Sequence, residues 1–143
     1  MPYVRNKSIS VVIPANAVPP FELNENNGKG PGQKVDFKNS GHPGIVVYFN
    51  IRDPHNTGLV FQPVPGDALW VAPPGQACPT SASAWEEFVP LSVEKKAGKN
   101  VQLIAYYRNQ QQEQFNFALR FLKPDGTPVD YDPIGNGMNG LRS

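Results

Sequence analysis

Gln114-Phe-Asn-Phe-Ala-Leu-Arg-Phe-Leu122 carries the strongest pattern in the chain. Phe115, Phe117, Leu119 and Phe121 take every second position, and Asn116, Ala118 and Arg120 stand between them. An extended strand sends successive side chains to opposite faces, so this spacing yields one apolar face and one mostly polar face. A helix would scatter the same residues around its axis. The segment therefore reads as a β-strand, and the rest of the chain reads as material that covers its aromatic face.

Immediately upstream, Val101, Leu103, Ala105 and Tyr107 share one face, with Ile104 and Tyr106 opposite. This second strand and Phe115–Phe121, joined through the polar Asn109–Glu113, are expected to form an antiparallel hairpin. Val89, Leu91 and Val93 keep strand spacing, and Pro90 moves that strand to an edge or a bulge because proline cannot donate to a ladder. Ser83-Ala-Trp-Glu86 fits a capping box, which predicts a helical turn over Ala84–Phe88. Ala68–Val71 and Leu59–Phe61 are short strands. Ile45-Val-Val-Tyr-Phe-Asn-Ile51 is apolar on both faces for most of its length, as in a central, well-covered strand. Lys34–Asn39 turns Val35 and Phe37 inward. Ile9, Val11 and Ile13 form a first strand, and Phe21–Asn26 reads as a short strand or an extended edge. Pro14–Pro20, Asn27–Gly32, Ala97–Asn100 and Pro124–Gly126 are loops or turns, and Ala72–Ser83 is the longest irregular piece.

About seven to eight strands separated by turn signals define an all-β chain. The expectation is a single antiparallel β-sandwich, immunoglobulin-like or jelly-roll in topology, over residues 1–131. Residues 132–143 form an irregular, Gly/Asn-rich C-terminal tail.

Composition agrees. A chain of 143 residues is one ordinary domain. Its 16 prolines and 13 glycines are about a fifth of the whole, high but below the fraction that marks low-complexity sequence. The net charge is +1 and the basic residues are dispersed, so the basic stripe of a nucleic-acid binder is missing and no nucleic-acid partner is expected. No apolar run approaches the ~20 residues of a spanning helix, so no membrane span is expected. A single cysteine, Cys78, and an N-terminus without an apolar core point to a cytoplasmic location.

Candidate chemistry is thin. His42, His55, Cys78 and Met138 supply the residue types of a copper site, but both histidines precede Cys78 and none follows it. Surface turn histidines and an inert thiol are the simpler reading. Glu86 and Glu87 would point apart on a strand, and Asp130/Asp132 lie in or beside the tail, so neither pair makes a glycosidase dyad. Asp130, Asp132, Asn136 and Asn139 lack EF-hand order. No metal or other cofactor is expected. Trp70, Trp85 and Tyr106 are the candidates for stacking a ligand on a sandwich face, although most such aromatics serve packing.

The function expected from these residues is a non-enzymatic interaction or assembly protein. Its partner would be a protein, either another chain or a second copy in a homo-oligomer, reached through edge strands and terminal segments. Asp132, Pro133, Ile134, Asn136, Met138 and Asn139 are the expected contact residues. A module binding a small molecule or carbohydrate is the alternative, and an enzyme using Cys78 stands behind both.

Overall fold

A computed structural model of the chain describes residues 5–19, 21–25, 31–32, 44–72, 88–108 and 116–131. Among them lie ten strands and one short helix: β1 (Arg5–Val12), β2 (Glu22–Glu25), β3 (Pro31–Gly32), β4 (Ile45–Arg52), β5 (Val60–Phe61), α1 (Pro65–Ala68), β6 (Leu69–Ala72), β7 (Phe88–Lys96), β8 (Lys99–Tyr107), β9 (Asn116–Leu122) and β10 (Pro128–Tyr131). The all-β expectation holds. The strands form two sheets, one of six strands ordered β3-β2-β1-β4-β8-β7 and one of four in which β9 pairs with β10, β5 and β6.

The period-two alternation of Phe117, Leu119 and Phe121 sorts β9 as expected. Phe117, Leu119 and Phe121 are buried. They meet residues of the other sheet in one apolar cluster that includes Ile9, Val11, Val47, Phe49, Leu103 and Tyr107. Aromatic rings cross between the sheets, Phe49 with Phe117 at 5.9 Å between centroids and Phe88 with Phe117 at 5.5 Å. Edge-to-face and tilted contacts of this kind suit the ring quadrupoles. Within the four-stranded sheet, Phe61 stacks on Phe121 at 5.0 Å.

Two expectations are corrected. β8 and β9 do not form a hairpin: β8 pairs with β4 and β7, and β9 lies in the other sheet. Both strands carry a fully apolar face, and each buries it better across the core than beside its neighbour. Eight residues lie between Tyr107 and Asn116, and at ~3.3 Å each they easily span the ~10 Å between packed sheets. The partner that β8 does take is β7, through Ala97 and Gly98 at φ 54° and 80°. Two consecutive positive φ values are the two-residue hairpin turn that matches strand twist.

The sheets are also not wholly antiparallel. β1 runs parallel to β4, from Arg5 opposite Ile45 to Val12 opposite Arg52. A parallel pair needs a long crossover, and residues 13–44 supply it. β2 meanwhile turns back antiparallel onto the other edge of β1, which leaves β1 enclosed on both sides.

Other expectations hold with shifted bounds. β4 is central, between β1 and β8. Its inner residues are buried, while Val46, Tyr48 and Asn50 on its outward face are half-buried. β7 ends the six-stranded sheet, and its register slips between Pro90 and Ser92, leaving Leu91 unpaired and 53% exposed. That is the edge and bulge that Pro90 announced. Ala68 belongs to α1 rather than to the following strand. The Lys34–Asn39 strand lies outside the described residues, as does the Ala84–Phe88 helical turn except for Phe88, which begins β7.

No helix among the described residues is long and apolar enough to cross a membrane.

Candidate functional site

The two described aromatics singled out as ligand platforms occupy the outward faces of different sheets, so they do not form one platform. Trp70 is on β6, opposite Ala118 of β9. The Arg120 guanidinium carbon lies 3.8 Å from the centroid of its ring. Arg120 Nε also donates to Asp130 Oδ1 at 3.1 Å, and Arg120 Nη1 donates to the Asp67 carbonyl at 3.2 Å. One planar cation thus ties β6, β9, β10 and the end of α1 together, as a stacked arginine fork can. Trp70 Nε1 is buried without a hydrogen-bond acceptor. The indole face that a ligand would need is taken by Arg120.

Tyr106 is on β8, opposite Val46 and Val89. Its ring lies along the sheet over Gly44: a Cβ at Gly44 would sit inside the Tyr106 hydroxyl and 2.8 Å from its Cζ. The tyrosine covers the gap that the glycine leaves, a packing role on its own face.

The remaining predicted residues divide simply. Trp85, Asp132, Pro133, Ile134, Asn136, Met138 and Asn139 lie outside the described residues, as do His42, Cys78, Glu86 and Glu87. His55 is exposed in the turn after β4. Asp130 is held by Arg120, as above. Among the described residues no group of three or more His, Cys, Asp or Glu side chains converges to hold a metal.

The turn after β4 is organised by Asp53. Its carboxylate accepts from the Thr57 amide and hydroxyl and from the Gly58 amide, each at 2.9 Å. Burial pushes this carboxyl up, but the Thr57 and Gly58 amides, the Thr57 hydroxyl and the charge of Lys99 together outweigh it, and the group sits below the ordinary carboxylate value. These bonds close a turn and leave no chemistry to spare.

The six-stranded sheet carries one feature that its sequence did not lead us to expect. Register sets Asn24, Ser10, Asn50, Gln102 and Glu94 in one row across five strands on the outward face. Gln102 Nε2 donates to Asn50 Oδ1 at 2.7 Å. The adjacent row is Ser8, Tyr48, Ile104 and Ser92, and the next is Asn6, Val46, Tyr106 and Val89. The signal was present as the polar positions Asn50 and Gln102 set among apolar strand residues, but only the register shows that they are neighbours.

No protein-family model matches the chain, and no curated protein is significantly similar to it.

Proposed function

We propose that the chain is a non-enzymatic interaction and assembly protein that associates through its C-terminal segment beside β10. The position of β10 carries this reading. Among the described residues β10 is an end strand of the four-stranded sheet, and its last residue is locked into the interior. Tyr131 is 4% exposed, its hydroxyl donates to the Phe21 carbonyl at 2.9 Å, and its ring lies 5.2 Å from that of Phe21. The chain therefore leaves from a fixed point on a strand that ends the sheet among the described residues, and end strands are where strand addition starts. Asp132, Pro133, Ile134, Asn136, Met138 and Asn139 follow directly.

The opposite candidate edge is less suited to the role. β7 carries Pro90, an unpaired Leu91 and the exposed Lys95 and Lys96 along its length. Proline, a bulge and lysines are the means by which proteins keep an edge strand from pairing.

Under the same reading the two sheets are the halves of one sandwich, immunoglobulin-like or jelly-roll in general plan but modified by the parallel β1–β4 pair. The domain ends at Tyr131, and the single cysteine fits a cytoplasmic setting. Sedimentation velocity over a range of concentrations tests the association. The full chain is expected to form a reversible oligomer, and Ile134→Asp to shift it toward monomer. A full chain that stays monomeric throughout would end the proposal.

A further inference from the structure

We infer that the outward face of the six-stranded sheet is a binding surface for a neutral, polyhydroxylated chain, that is, a glycan, centred on Tyr48, Asn50 and Gln102. This does not rest on the assembly reading, which concerns the edge of the other sheet.

The middle of this face carries little charge. Apart from Glu94, which ends the first row on β7, the rows from Ser10, Asn50 and Gln102 through Ser8, Tyr48, Ile104 and Ser92 to Val46, Tyr106 and Val89 hold no ionisable group except the tyrosine phenols. Glu22, Arg52 and Glu94 stand only at the rim of the same face. Among the described residues these rows carry no Lys or Arg for the phosphates of a nucleic acid. An acidic or basic peptide would lose hydration against an uncharged surface with no return. A neutral ligand matches a neutral face.

The same face has hydrogen-bonding capacity to offer. Asn50 and Gln102 are half-buried and bonded to each other. That bond uses one Gln102 donor and one Asn50 acceptor. It leaves the Asn50 amide nitrogen as a donor and the Gln102 amide oxygen as an acceptor. Ser10 and Asn24 continue the row on one side and Glu94 on the other. An apolar protein surface laid on this row would strand these groups, whereas vicinal hydroxyls both donate and accept along a line.

The neighbouring row adds an aromatic ring. Tyr48 lies one register step from Asn50 on the same face and is half-buried. A sugar ring has an apolar face of C–H groups and a rim of hydroxyls, so a tyrosine ring beside an amide pair meets both. Five strands at ~4.8 Å give the row a length of about 19 Å, which favours a chain over a single sugar. Trp70 and Tyr106, the aromatics that sequence reading favoured, are engaged by Arg120 and Gly44. Tyr48 takes their place.

Affinity electrophoresis of the full chain through gels containing soluble hydroxyethylcellulose, xylan or mannan tests the inference, with heparin as the charged control. At least one neutral polymer is expected to retard the protein. Tyr48→Ala should weaken that retardation at least tenfold, Asn50→Ala and Gln102→Ala several-fold, and Arg120→Lys on the other sheet should leave it unchanged. Thermal unfolding of each variant checks that it folds, and Asn50→Ala answers the question if Tyr48→Ala does not. No retardation by any neutral polymer, retardation by heparin alone, or retardation indifferent to the folded Tyr48 and Asn50 variants would each overturn the inference.

Discussion

Replacing Tyr131 with phenylalanine removes one oxygen from the interior and nothing else. The Tyr131 hydroxyl donates to the Phe21 carbonyl at 2.9 Å, and both residues are buried, 4% and 1% exposed. The ring contacts of Tyr131 with Phe21 survive the change. What is lost is a net hydrogen bond, worth about 1 kcal/mol, together with the added cost of leaving a buried carbonyl unpaired, which brings the total to about 1–2 kcal/mol. An unfolding entropy of about 2.1 cal/mol/K per residue gives about 0.3 kcal/mol/K for 143 residues. Tyr131→Phe should therefore lower Tm by about 3–7 °C. Tyr131→Ala, which also empties the ring's volume, should cost about 3–5 kcal/mol. Circular dichroism melts supported by urea titrations measure both. A Tyr131→Phe protein as stable as the parent would show that the hydroxyl is not buried and bonded, and with it would go the fixed point at the end of β10.

Gly58 has φ +82°, and a Cβ there would stand 2.6 Å from Pro124 Cγ, whereas Gly98 at φ +80° has nothing within 4 Å of the same position. Gly98→Ala should cost about 1 kcal/mol for the left-handed backbone alone and Gly58→Ala about 2–3 kcal/mol, the excess reporting the contact with Pro124; equal losses in urea titrations would contradict the close approach. Because the folded state holds the Asp53 carboxyl below its ordinary value, its contribution to stability is fully present above the unfolded value of about 4 and disappears as pH falls through the lower folded value. Asp53→Asn should flatten that acid limb in urea midpoints taken across the range, and an unchanged slope would refute the assignment. A double-mutant cycle of Trp70→Leu and Arg120→Lys should return a coupling of about 0.5–2 kcal/mol for the stacked pair, and additive losses would mean the stack contributes nothing.

The fold class was legible because period-two alternation is a local property. The Phe117–Phe121 and Ile45–Ile51 patterns name their own buried faces, and Pro90 names its own bulge. Pairing is not local. The hairpin expected between Val101–Tyr107 and Phe115–Phe121 assumed that neighbours in sequence are neighbours in a sheet, yet two fully apolar faces gain more by meeting across the core. The parallel β1–β4 pair was invisible for the same reason, since an alternating strand fits either direction. The site was less legible still. Trp70 and Tyr106 stood out by residue type, but their surroundings, Arg120 and Gly44, come from distant positions. Asn50 and Gln102 are unremarkable in sequence and become a pair only once β4 and β8 lie in register. Tyr131 shows the same limit: nothing local says that the residue before the Gly/Asn-rich segment is anchored to Phe21.

That anchor sets the most direct test of the assembly reading. Light scattering would give the molar mass of the full chain and of a chain ending at Tyr131, which keeps the buried ring and its hydrogen bond. The account predicts an oligomer for the full chain and a folded monomer for the shortened one. Equal masses for two folded proteins, whether both monomeric or both assembled, would contradict it.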